Sequence, residues 1–297
     1  MSGSQYSINY KDSQNRNHML TIASIGSSIR KYTIDNLDIV TPYEADTIPE
    51  FFQGQVLFPW ANRLQDGQYD FEGNKIQTGI NEIDKNNQLH SLSPFYSFRL
   101  INKKNDLIEL GLHLPPQKGY PFNVEVKIEY KFINDKLNIT SQIKNLGLSN
   151  APFMMGWHPW FSVRGNMDNA FLEFEAQYYI KTNERLISQA EISVPEKFNF
   201  SQKKSLKNIA LDDAFLDVKN NTIKLTGADK HITIIKADKS YKAWQICNAD
   251  FAVGKNYKFG VAIEPMTAYA NAFKTGKNLI ILKPKQKLKN SWSVKFE

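Results

Sequence analysis

Residues 122–132 read FNVEVKIEYKF, and Phe122, Val124, Val126, Ile128, Tyr130 and Phe132 alternate there with Asn123, Glu125, Lys127, Glu129 and Lys131. Successive side chains of an extended strand point to opposite faces, so a period of two marks a strand with one dry face. Asn134 and Asp135 then supply turn chemistry, and Leu137, Ile139, Ser141 and Ile143 resume the alternation, which predicts an antiparallel hairpin. The same short-strand texture recurs at residues 19–26, 96–101, 107–114, 171–174, 222–225, 232–235, 243–247, 259–263, 279–282 and 292–296. No long amphipathic helix joins these segments. Pro115, Pro116, Pro121, Pro152 and Pro159 mark edges or loops, because proline lacks the amide that a central strand needs. Many short strands separated by Gly, Pro, Asn and Asp predict an all-β chain, a large antiparallel β-sandwich rather than a parallel βαβ fold.

The chain has 297 residues, 41% apolar and 12% aromatic, enough for a sizeable core and outside the composition of a disordered segment. It shows no repeat, low-complexity run or long linker, so one domain over residues 1–297 is the simplest organisation. Thirty-seven Lys and Arg against thirty Asp and Glu leave a charge of +7. Only six of the cations are Arg and the lysines are scattered, which argues against a nucleic-acid partner. The lone Cys247 cannot close an internal disulfide. With neither a signal-peptide pattern nor an apolar run long enough for a membrane span, a cytoplasmic protein is expected, away from membranes.

Several residues could carry chemistry. His158, in GWHPWF between Trp157 and Trp160, reads either as the wall of an aromatic pocket, where rings offer platforms to sugar C–H faces, or as part of a packed core loop. Glu264 ends a buried apolar run, where partial desolvation would make it an acid or base near neutrality, although a loop end or structural ion pair fits as well. Asp212 and Asp213 could bind hydroxyls or make a turn, and Arg63 could meet a polar ligand or a surface carboxylate. His113, before Pro115 and Pro116, reads as structural. HExxH, paired CxxC, GxGxxG, GxxxxGK[ST] and GxSxG are all absent, so no motif supports a metal site, a nucleotide cradle or a serine nucleophile.

In order, GQVLFPWANRLQDGQYDFEG (54–73), QLH (88–90), GWHPWF (156–161), LDDAF (211–215), WQICN (244–248) and IEPMTAYANAF (263–273) resemble the aldose 1-epimerase, or galactose mutarotase, family over residues 53–273. Each piece is weak alone, and the ordered set is specific. The resemblance implies a large β-sandwich with the sugar in a cleft on one sheet. It implies Glu264 as catalytic base, His158 as catalytic acid and His90 as a second active-site histidine near the ring oxygen. It further implies Arg63, Asp212 and Gln245 as contacts to sugar hydroxyls. Trp160 joins the substrate wall, standing where the family usually shows tyrosine, and Ser91 follows His90 where glycine is common. The implied reaction is anomer interconversion of a free hexose by acid/base ring opening, with a small-molecule sugar as partner, no cofactor and no metal, in a monomer or homodimer. Two other readings use the same residues: a non-catalytic carbohydrate-binding or regulatory protein that kept the cleft, and a glycosidase with Glu264 and Asp212 as its carboxylate pair.

Overall fold

A computed structural model describes residues 2–248 and 260–297. Two large sheets dominate it, one of nine strands and one of eight, with a four-stranded sheet and three two-stranded ribbons beside them. Every paired strand among them is antiparallel. The all-β sandwich predicted from period two is the fold. Among the described residues the α-helix is confined to Ala272–Thr275, and no helix is long and apolar enough to cross a membrane.

The hairpin of Val124–Ile133 and Lys136–Asn145 lies inside the nine-stranded sheet, and its burial alternates along Val124–Ile133 as the sequence does. Its dry face looks toward the eight-stranded sheet. Trp157, on the short Gly156–Trp157 strand of that second sheet, meets Tyr130 at 5.9 Å and Trp292 of the Lys287–Phe296 strand at 5.5 Å between ring centroids. These fully buried rings form the seam of the core, where truncating one of them costs about 3–5 kcal/mol.

Several strands depart from their predicted extents. The 96–101 segment becomes Arg99–Lys104, because the tight turn Ser93–Phe95 uses up the residues before it. The 292–296 segment begins five residues earlier, as Lys287–Phe296, its polar front half paired with Lys136–Asn145. Of the 259–263 segment, Phe259 lies outside the described residues, and the strand runs Val261–Met266. Asp212–Leu216, whose acids could have made a turn, is a central strand of the eight-stranded sheet.

The four-stranded sheet is tied to the sandwich by a buried polar cluster. Asp12 accepts from the Arg16 Nε–H at 2.8 Å and lies 3.1 Å from His18 Nε2, while His18 Nδ1 is 3.0 Å from the Tyr32 hydroxyl. Arg16 also donates to the Phe296 carbonyl of the last strand at 2.9 Å. Burial alone would raise the Asp12 pKa, but bonds from the Arg16 amide, His18 and the guanidinium outweigh it and hold the pKa at about 2, below the ordinary 3.8. A carboxyl depressed on folding stabilises above its unfolded pKa and loses that contribution as pH falls through the folded value. The unfolding free energy should therefore drop on acidification below about pH 4, with roughly 2 kcal/mol of the drop belonging to Asp12. Urea melts between those pH values should show a shallower fall for Asp12→Asn, and an unchanged slope would remove Asp12 as the cause.

Candidate active site

Two central strands of the eight-stranded sheet, Ala243–Cys247 and Val261–Met266, are buried along their whole length, so both faces of the sheet are covered there. Their register lays out the site. Gln245 pairs with Glu264, Cys247 with Ala262, and Asp212 with Cys247. On the other side Gly156 pairs with Met266 and Trp160 with Ala262, which sets His158 level with Glu264. Cross-strand partners share a face. The face turned away from the core thus carries two rows across the strands. One is Gln245, Glu264 and His158, and the other is Asp212, Cys247, Ala262 and Trp160.

Above these rows lies a cavity of about 600 Å³, lined among others by Arg63, Glu82, His90, His158, Asp212 and Glu264. Its size falls within the range of small-molecule sites, about 300–1,000 Å³. Glu264 Oε1 lies 3.3 Å from His158 Nε2, and both side chains are buried. Glu264 Oε2 and His158 Nδ1 are buried with no hydrogen-bond partner among the described residues. Burial, with a smaller push from the Asp212 charge, raises the Glu264 pKa well above its ordinary value despite the opposing pull of Arg63. Burial pulls His158 down to about 3. Desolvation disfavours the charged form of each group, which favours a neutral acid beside a neutral imidazole. That pair contains one exchangeable proton, which can sit on either partner, and its titration belongs to the pair.

His90 faces this pair edge-on, with its ring 5.1 Å from that of His158. Burial first, and then the nearby His158 and Arg63 charges, hold its pKa well below 6.5. The Asn62 amide donates to His90 Nδ1 at 3.2 Å, so the proton of the neutral ring resides on Nε2. The backbone here is unusual: His90 and Ser91 take φ of +58° and +64°, the left-handed region that glycine enters freely. Gln88 braces this corner, accepting from the Ser91 amide at 3.1 Å and donating to its carbonyl at 3.1 Å.

Arg63 is clamped by Glu82, with Nε 3.0 Å and NH2 2.9 Å from its oxygens, and reaches toward Asp212 at 3.9 Å. Of the adjacent acids, Asp212 lines the cavity, whereas Asp213 accepts the Tyr179 hydroxyl proton at 2.5 Å. Gln245 is not among the residues lining the cavity; its amide donates to Asp212 Oδ1 at 2.7 Å and orients that carboxylate from behind. Trp160 stacks beside His158 with centroids 5.8 Å apart. His113 sits elsewhere, exposed and bonded to Asn123 at 2.7 Å. Of the residues that sequence reasoning passed over, Glu82, Phe51 and Phe52 also line the cavity. Phe52 packs edge-on against His90 at 4.5 Å. Among the described residues no group of three or more His, Cys, Asp or Glu is placed to hold a metal ion.

The large antiparallel sandwich is a galactose mutarotase-like fold. The chain belongs to the aldose 1-epimerase family, whose pattern matches residues 10–295. Similar proteins include YihR of Escherichia coli K12, 26% identical over 88% of this chain and 85% of that protein. YphB of the same strain is 20% identical over 94% and 95%. Similar solved structures include an aldose epimerase homologue from C. elegans, with a TM-score of 0.85, 19% identity and 99% of each chain covered. A galactose 1-epimerase from Lactobacillus acidophilus NCFM has a TM-score of 0.80 at 18% identity, covering 99% of this chain and 98% of that one. At such identities the structures show the fold alone.

The left-handed corner gives a stability prediction. Ser91→Val puts a β-branched side chain at positive φ and should cost about 2 kcal/mol, while Ser91→Gly should stay within about 1 kcal/mol of the parent in denaturant melts. Equal losses for the two would show that the backbone angle is not what limits this position.

Proposed function

We propose that the protein is an aldose 1-epimerase that interconverts the α and β anomers of a free hexose. The observation that carries this reading is the Glu264 and His158 contact at 3.3 Å beneath a cavity whose other polar walls include His90, Arg63 and Asp212. Opening a cyclic hemiacetal requires a proton to leave the C1 hydroxyl while another reaches the ring oxygen. With the shared proton moved from Glu264 to His158, Glu264 takes the first as base and His158 delivers the second as acid, so the C1–O5 bond breaks and the aldehyde forms. Rotation about C1–C2 offers the opposite carbonyl face, O5 attacks, and the protons return by the same route. The net proton count of the pair never changes, so the cycle needs no cofactor.

His90, neutral with its proton on Nε2, donates toward the ring oxygen without competing as a charged acid. Arg63 and Asp212 hold the remaining hydroxyls while the C1 end turns, which is positioning rather than proton transfer. A glycosidase built on Glu264 and Asp212 would leave both histidines without work. Family membership and the pair of histidines therefore favour the epimerase.

Polarimetry on freshly dissolved α-glucose or α-galactose should show accelerated approach to equilibrium. Glu264→Gln should lower the rate by about 10²–10⁴, the value of one general base, with circular dichroism unchanged. Sugar binding without acceleration by the parent protein would support a binding protein instead. The pH profile offers a separate check. The pair is competent while it holds one proton, and it gains a second only as pH falls through the depressed His158 pKa. It loses its last proton only above the raised Glu264 pKa. The plot of kcat/KM should therefore show no acid limb near the ordinary imidazole value of about 6.5; a limb at that pH would mean that His158 titrates as an exposed ring.

A further inference from the structure

Glu82 takes no part in the proton transfers above, yet it is built firmly into the cavity wall. Its carboxylate accepts from Arg63 Nε at 3.0 and 3.1 Å and from Nη2 at 2.9 Å. The Asn87 side-chain amide donates to Glu82 Oε2 at 2.9 Å and to the Arg185 carbonyl at 3.0 Å. Across the same turn the Glu82 and Asn87 backbones exchange two hydrogen bonds, each at 3.1 Å. Arg63 pairs with Leu89 in the ribbon that flanks this turn, so backbone pairing brings the two side chains together. Each is only 11% exposed, which leaves their attraction little screened by salt.

The clamp decides which part of the guanidinium faces the sugar. With Nε and Nη2 taken, Nη1 makes a long contact of 3.5 Å to Asn62 Oδ1 and turns toward Asp212, whose Oδ2 lies 3.9 Å away. On the other side of that gap Gln245 holds Asp212 Oδ1 at 2.7 Å, so Oδ2 is the oxygen that faces Arg63. A separation of 3.9 Å is too long for a direct hydrogen bond. It suits a single oxygen lodged within reach of both groups, accepting from Nη1 and donating to Oδ2. A hydroxyl does both at once, whereas an ether or carboxylate oxygen has no proton for Asp212. An arginine beside a carboxylate tends to form a two-bonded fork, which would close the gap. Glu82 has already taken that fork.

Resting on the epimerase reading above, we propose that Glu82 is a positioning residue: it holds Arg63 off Asp212 and so keeps open a subsite for one hydroxyl of the sugar. Without it the guanidinium closes on Asp212, and that hydroxyl loses both partners together.

The test compares glucose with its 2-, 3-, 4- and 6-deoxy analogues, by NMR exchange for the kinetics of anomer interconversion and by calorimetric titration for binding without turnover. For one analogue, loss of the hydroxyl should cost the parent protein about ten- to a hundredfold, the worth of a hydrogen bond to a charged group. In Glu82→Ala the KM for glucose should rise by a similar factor with kcat near the parent value, the mark of binding lost equally in ground and transition states. That one analogue should be indifferent to the substitution, while glucose and the other three weaken together. Glu82→Gln, of nearly the same shape, should show the same pattern in smaller degree and serves where the alanine variant folds poorly. An equal weakening of all five sugars would make Glu82 merely structural and overturn the proposal, as would no weakening of any. Calorimetry that shows the expected pattern, with no acceleration by the parent protein, would overturn the epimerase reading and leave the subsite standing.

Discussion

The Glu264 carboxyl and the His158 ring sit 3.3 Å apart because backbone hydrogen bonds put them there. Gly156 and Trp160 are fixed opposite Met266 and Ala262, and the residues midway between them have no choice of neighbour. His158 is further anchored by its own amide to the Gln55 carbonyl at 3.0 Å and by its carbonyl to the Gly54 amide at 2.8 Å. Burying two ionisable groups costs several kcal/mol unless they satisfy one another, so a pair held only by mutual attraction would relax toward water. Here strand register forbids that relaxation.

Covering both faces of a sheet creates a second interior. Along Ala243–Cys247 and Val261–Met266 one set of alternate side chains enters the core with Trp244, Ile246 and Ile263. Of the other set, Cys247 and Glu264 line the cavity. Loops must close over the second face, and their backbone shows the cost: Phe51, Phe52, His90 and Ser91 all have positive φ, and each lines the cavity or neighbours a residue that does. Left-handed geometry at a non-glycine residue persists only where surrounding contacts over-determine it. Those contacts are the Gln88 brace, the Phe52 ring against His90 and the Phe51 carbonyl on Trp160.

How much of this the sequence disclosed follows from the same geometry. Residues 122–132 announce a strand because one face is wet, and Leu107–Leu114 and Ala243–Cys247 fall where their apolar content puts them. Asp212–Leu216 gave no such signal, because its acids are satisfied by Gln245, Arg63 and Tyr179 from distant parts of the chain, and locally DDAFL opens like a turn. In the site, His90, His158, Glu264, Arg63 and Asp212 were legible as types in an ordered set, while no spacing could show that they share a cavity. Glu82 had no motif at all: it matters only because the strand that holds Arg63 folds back beside it. Gln245 was legible as a residue of the region but not as one standing behind Asp212.

The charges around the cavity bear on the kind of sugar it can hold. Arg63 and Lys85 are the cations of the lining, and Glu82 and Asp212 face them. Glu82 binds the Nε–Nη2 edge of the guanidinium with both oxygens, and Asp84 meets Lys85 at 2.7 Å. A guanidinium already engaged by a bidentate carboxylate has little attraction left for a phosphate or a carboxylate on a ligand, which would have to displace a partner held at hydrogen-bond distance. Asp212, aimed by Gln245 and only loosely paired with Arg63, remains an acceptor for hydroxyl protons. A compensated arginine and an oriented carboxylate leave this side of the cavity with hydrogen-bonding groups and little spare positive charge.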